Sequence, residues 1–113
     1  MKTLIKLSYA IMICMLMSSV TYAGNQVGTV IYVITRASDG LIYFTLSGTK
    51  NGSPACAQIS YWMIRNENSD AGKRQYAMLL SAKVNGKKIG VSGFNTCTRW
   101  GDGEDVNDLQ LLD

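Results

Sequence analysis

The chain has 113 residues, a formal net charge of +3, three cysteines and no histidine. Without histidine it lacks the commonest general base and the Ser–His and Cys–His pairs of nucleophilic enzymes. Two of its 11 basic residues, Lys2 and Lys6, stand at the extreme N-terminus, and the 9 that remain against 8 acidic ones form no clustered cationic face, which argues against nucleic acid as a partner.

The first element in chain order is an export signal. Lys2 and Lys6 precede an apolar run over residues 10–17, and the stretch Ser18-Ser19-Val20-Thr21-Tyr22-Ala23 follows it. This is a positive region, an apolar region and a cleavage site after Ala23. The run falls short of the roughly 20 apolar residues of a spanning helix, so no stable membrane span is expected once it is removed; a retained N-terminal anchor is the alternative. Met12-Ile13 lacks the small residue a lipid-attachment site needs before its cysteine, and Cys14 reads as part of the apolar run. Residues 1–23 are therefore assigned to a signal peptide and residues 24–113 to one small domain, exported to the periplasm or secreted.

A domain of that size buries only ~60–65% of its unfolded surface and is marginal without a staple. Cys56 and Cys97 are the cysteines left to it, and in an oxidising compartment they are expected to form one disulfide. A two-cysteine metal site would lack its usual histidine co-ligands. Neither a metal nor a cofactor is expected.

Residues 28–35 read as a strand rich in β-branched side chains, and Ser38-Asp39-Gly40 as the turn that follows it. Residues 41–47 form a second strand, with Leu41, Tyr43, Thr45 and Ser47 on one face and Ile42, Phe44 and Leu46 on the other. After a polar loop, a third strand is predicted from Cys56 through Ile64. It sets Ile59, Tyr61 and Met63 opposite Trp62 and Ile64, and alternation alone does not decide which set faces inward. The period then changes. Asn68-Ser69-Asp70 offers caps for a helix over residues 73–84, with Tyr76, Leu79, Leu80 and Lys83 on its apolar stripe, and Asn85-Gly86 closes it. Residues 87–93 and 105–112 complete the set as two strands.

Three strands, a helix and two strands give a mainly β fold with one helix, β-β-β-α-β-β. This is the order of a small five-stranded OB-fold-like barrel whose helix plugs one end. Cys56 and Cys97 would then tie the barrel across the helix.

The stretch Ala71-Gly72-Lys73 through residues 76–82, then Gly86-Lys87, Val91, Gly93, Thr96-Cys97, Trp100-Gly101-Asp102 and Glu104-Asp105-Val106, resembles a widespread group of short exported bacterial proteins of unassigned function. The resemblance runs over nearly all of residues 24–113. More distantly, the layout is similar to the binding subunits of subtilase-cytotoxin and pertussis-like toxins, which implies an exported OB-fold, a Cys-linked helix region and glycan recognition. Only the layout carries over.

Among candidate reactive groups, Ser81, Ser92, Lys83, Lys87 and Lys88 read as solvated surface rather than as a Ser–Lys pair. Asp102-Gly103-Glu104-Asp105 lacks the spacing of a calcium loop and reads as a solvated turn into the last strand rather than an acid/base pair. The chain is accordingly expected not to be an enzyme. Trp100 is the better lead. Lying between Arg99 and Asp102 in a loop, it is either a cap folded over the open barrel end or, with those two residues, a ligand-binding site for a sugar or protein partner. Two functions follow. One is an exported, non-catalytic binding module for a carbohydrate or protein partner, assembling as a homo-oligomer through strand edges. The other is a periplasmic structural or accessory protein with no small ligand.

Overall fold

The computed structural model describes residues 22–113; most of the expected export signal, residues 1–21 with Cys14, lies outside the described residues. Among those described, five strands and one helix form a closed barrel: β1 (Asn25–Thr35), β2 (Ile42–Leu46), β3 (Trp62–Met63), α1 (Asp70–Asn85), β4 (Lys88–Gly93) and β5 (Glu104–Leu111). Its strand order, β1-β2-β3-β5-β4 with β4 returning to β1, and its parallel β3–β5 pairing make it an OB-fold-like barrel. No described helix is long and apolar enough to cross a membrane.

Closure depends on β1, which belongs to both sheets. Its first half pairs with β4 (Gly28↔Ile89) and its second half with β2 (Thr35↔Ile42). The register shifts between Val30 and Tyr32, an irregularity that bends the strand from one sheet to the other. At the crossing Gly28 is obligatory, because a Cβ there would stand 1.9 Å from the Ser47 carbonyl oxygen. Alternation along β2 sends Ile42, Phe44 and Leu46 inward, where they join Val30, Trp62, Ile64, Leu79, Ile89, Val91 and Val106 in one core. The indole N–H of Trp62 donates to Gln26 Oε1 at 2.9 Å, and the Gln26 amide donates in turn to the carbonyls of Leu46 and Gly48 at 3.2 and 2.9 Å. The polar atoms of Trp62 and Gln26 are thereby paired.

The helix starts and stops where its caps dictate. Ser69 Oγ accepts from the Gly72 N–H at 3.0 Å, and Gly86, at φ 63°, donates its N–H to the Ala82 carbonyl. Its buried face is Gly72, Leu79 and Ala82 with Tyr76 and Met78 alongside, so the expected stripe is half right: Leu79 is fully buried, whereas Leu80 is 41% exposed. Ala82, which has little apolar bulk to show in a sequence, is buried beside Leu79 on the side turned away from Leu80. Leu79→Ala is expected to cost about 3 kcal/mol through lost burial and a residual cavity, and Leu80→Ala less than about 1 kcal/mol, as read by urea unfolding. Equal losses at the two positions would contradict this packing.

The third strand is far shorter than its sequence suggests. Residues 55–61 do not pair with β2; Ala57 and Gln58 donate to the carbonyls of Pro54 and Cys56 in tight turns, and Ile59 donates to Asp102 O at 3.0 Å. The Ile59 bond and the Cys56–Cys97 disulfide, with a Cα separation of 6.1 Å, tie this turned segment to the β4–β5 loop. Cys56 therefore sits in the β2–β3 loop rather than on a strand, and the disulfide joins two loops on the outside of the barrel.

Candidate ligand-binding surface

Because Ile42, Phe44 and Leu46 face inward, Tyr43 must face outward, opposite Met63 in the β2–β3 register. Tyr61 enters β3 just ahead of the fully buried Trp62 and takes the outer face, which settles the alternative that alternation left open. Tyr32 adds a third ring from β1. The Tyr43 ring lies 6.4 Å from Tyr32 at nearly a right angle, 5.3 Å from Tyr61 and 5.7 Å from Trp100. Trp100 stacks on Tyr61 at 5.6 Å and 17°. Stacked and edge-on contacts of this kind stabilise each other beyond the area they bury. Trp100 is 36% exposed and rests on the outer wall, not over the barrel interior.

Two loops bracket these rings. From the β1–β2 loop, Arg36 places its guanidinium 4.6 Å from the Trp100 ring centroid and pairs with Asp39 at 2.7 Å. From the β4–β5 loop, Arg99 makes a two-pronged bond to Glu67, at 2.8 and 3.0 Å, and donates to the Asp39 carbonyl at 2.9 Å. The Arg36 hydrogen bond and the Leu41 N–H hold the Asp39 carboxyl well below the usual carboxylate range. Glu67 is lowered in the same way by Arg99. The Tyr61 hydroxyl donates to Asp102, and burial, together with that carboxylate, pushes the phenol well above its ordinary value.

Of the residues singled out from sequence, the structure brings all three into one loop, but in different states. Trp100 lies between the Tyr61 ring and the Arg36 guanidinium and keeps about a third of its surface open to solvent. Arg99 is occupied by Glu67 and Asp39, and acts as a brace between loops. Asp102 anchors Tyr61. Missed altogether were Tyr32, Tyr43, Tyr61 and Arg36 as one group. Alternation placed Tyr43 on the face opposite Ile42, Phe44 and Leu46, but its neighbours come from strands and loops up to 68 positions apart.

The expected solvated turn at Asp102-Gly103-Glu104-Asp105 is overturned, since Glu104 and Asp105 are both fully buried. Asp105 accepts from the hydroxyls of Thr96 and Thr98, each at 2.6 Å, and from the N–H groups of Thr98 and Arg99 at 2.8 and 3.2 Å. It is the internal template on which the Trp100 loop is folded. Burial alone would raise its carboxyl, but the hydrogen bonds from Thr96 and Thr98 outweigh that and hold it below its ordinary value. Such a group stabilises the fold fully above the unfolded-state value near ~3.9, and the contribution is lost as pH falls through the depressed folded value. The stability gap between wild type and Asp105→Asn is therefore expected to narrow below about pH 4 in acid unfolding. A gap independent of pH would show that the carboxylate charge is not what holds the loop.

No group of three or more Cys, Asp or Glu side chains among the described residues is placed to hold a metal ion. Compared with known proteins, the chain matches no family model, no curated protein and no solved structure.

Proposed function

We propose that this chain is an exported, non-catalytic OB-fold binding module that receives a carbohydrate on the Tyr43–Tyr61–Trp100 shelf. The observation that carries the reading is the place of that shelf: the outer face of β2 and β3, between the β1–β2 and β4–β5 loops, is where OB barrels take up oligosaccharides and oligonucleotides. A near-neutral domain disfavours the oligonucleotide. Rings presented beside Arg36, Asp102 and the Tyr hydroxyls offer a sugar both an apolar face for its C–H groups and polar groups for its hydroxyls. The hydrogen bonds that fix the loops prepay the ordering that a mobile site would meet on binding.

Support for a non-catalytic role comes from how the reactive groups are used. Glu104 and Asp105 are buried and engaged as hydrogen-bond acceptors of the fold, and Cys56 and Cys97 are joined. The disulfide accords with export, because such bonds persist in oxidising compartments.

The test is a glycan array probed with protein purified from the periplasm, followed by fluorescence titration of the hits. Trp62 is fully buried and Trp100 exposed, so a bound sugar is expected to change the Trp100 emission alone, and Trp100→Phe should remove the change. An array without hits, alongside a protein partner captured on the same face, would replace carbohydrate by protein as the ligand. No ligand of either kind would leave the structural or accessory role.

A further inference from the structure

Glu104, the buried carboxylate that the binding surface does not use, closes around the start of the domain. Both of its oxygens accept from the Gly24 backbone nitrogen at 3.1 Å, and Oε2 also accepts from the Asn95 N–H at 3.2 Å. Lys50 Nζ stands 3.3 Å from Oε1 and 3.9 Å from the Trp62 ring centroid. The nitrogen is held there by strand pairing: Gly24 O accepts from Gly93 N at 2.8 Å, and Asn25 exchanges both hydrogen bonds with Asn51, at 2.9 and 2.8 Å. Space is tight. A Cβ on Gly24 would lie 2.6 Å from Glu104 Oε1 and from Gly52 O, and one on Gly93 would lie 1.8 Å from Glu104 Oε2. Gly24 is buried while Ala23, immediately before it, is exposed.

We infer that hydrolysis of the Ala23–Gly24 bond delivers the new α-ammonium of Gly24 onto Glu104, adding to the Lys50–Glu104 pair a second buried ion pair that the uncut chain lacks. The inference rests on the export reading. In the step, water adds across the amide: the hydroxyl joins the Ala23 carbonyl carbon, which leaves as a carboxylate, and the Gly24 nitrogen takes up the protons that make it a cation. As an amide that nitrogen has one hydrogen to share between two carboxylate oxygens; as an ammonium it has three, and a charge-assisted bond is about twice as strong as a neutral one. The charged groups facing it are Glu104 from β5 and Lys50 from the β2–β3 loop, while β4 and the β4–β5 loop contribute the neutral Gly93 and the Asn95 N–H. Lys50, which also lies over the Trp62 ring, shares Oε1, and the Asn95 N–H shares Oε2; the added hydrogens of the ammonium take the lone pairs that these two leave open.

Intact mass of the periplasmic protein gives its N-terminus. Thermal unfolding is then compared between the chain beginning at Gly24 and one retaining Ala23, each with and without Glu104→Gln, and the α-amino group is titrated by NMR. The Gly24 chain is expected to melt roughly 5 °C or more above the extended one at pH 7. Its α-amino pKa should be raised above the ordinary value of about 7.7–8.0. A raised folded value means that the advantage is complete below the unfolded value and is lost as pH rises through the folded one; Glu104→Gln should erase it. A chain beginning elsewhere would overturn the cleavage assignment and the pair together. A Gly24 N-terminus with equal melting, or with an ordinary α-amino pKa, would overturn the pair while leaving export intact; the titration of wild type decides this even if Glu104→Gln does not fold.

Discussion

Trp100→Ala is expected to weaken carbohydrate binding by at least about 30-fold, the equivalent of roughly 2 kcal/mol for a central aromatic contact. The same change should cost the fold only about 1 kcal/mol, the range of one lost aromatic pair. The asymmetry follows from the ring's position. Trp100 stacks on Tyr61 and under the Arg36 guanidinium at the outer wall, remains 36% exposed, and has no place in the barrel core. Binding measured by titration calorimetry and stability measured by urea unfolding on the same sample separate the two effects. A loss of about 3–5 kcal/mol in stability, as for truncating a buried aromatic, would make the ring part of the scaffold. Full binding by a folded variant would remove it from the site.

Breaking the Cys56–Cys97 bond is expected to have the largest effect on stability. The bond closes a sequence separation of 41 residues. On the chain-entropy account that constraint is worth about 4 kcal/mol, a drop in Tm on the order of 15 °C or more for a domain this small. Function should suffer as well. Cys97 lies in the β4–β5 loop that bears Trp100, and Cys56 in the segment whose Ile59 N–H is bonded to Asp102 O. Reduction thus loosens the site even in molecules that stay folded. The Cys56→Ala/Cys97→Ala protein, compared with wild type in calorimetry and in sugar binding, tests both parts. In the oxidised chain beginning at Gly24, denaturation without reductant should expose no reactive thiol. A double variant within about 1 kcal/mol of wild type, where surface substitutions fall, would show that the staple is dispensable.

Particular residues show how far local pattern reaches in this chain. Strict alternation from Ile42 to Leu46 was enough to set Ile42, Phe44 and Leu46 on the face opposite Tyr43, and the structure turns that face into the core. Ser69 and Gly86 marked the helix ends, because capping is local chemistry between neighbours in sequence. The two cysteines of the domain, read with the expected export signal, pointed to their own pairing. Leu80 shows where pattern stops: it lies within the apolar stripe, but which part of a stripe faces the barrel depends on partners the helix does not itself contain.

Composition, period and capping thus determined a mainly β barrel with one helix and one disulfide, since each of those signals lies within a few residues of the element it specifies. Only the tertiary structure decided the rest. β3 shrinks to Trp62–Met63 because the residues before it turn on themselves at Ala57 and Gln58 and bond through Ile59 to Asp102, in a loop 43 positions away. Glu104 and Asp105, an acidic pair that composition assigns to water, are buried because donors at Gly24, Asn95, Thr96, Thr98 and Arg99 converge on them. Tyr32, Tyr43, Tyr61 and Trp100 become one surface for the same reason. Burial of a charge and assembly of a site are both set by groups distant in sequence, and the chain brings such groups together only when the barrel closes.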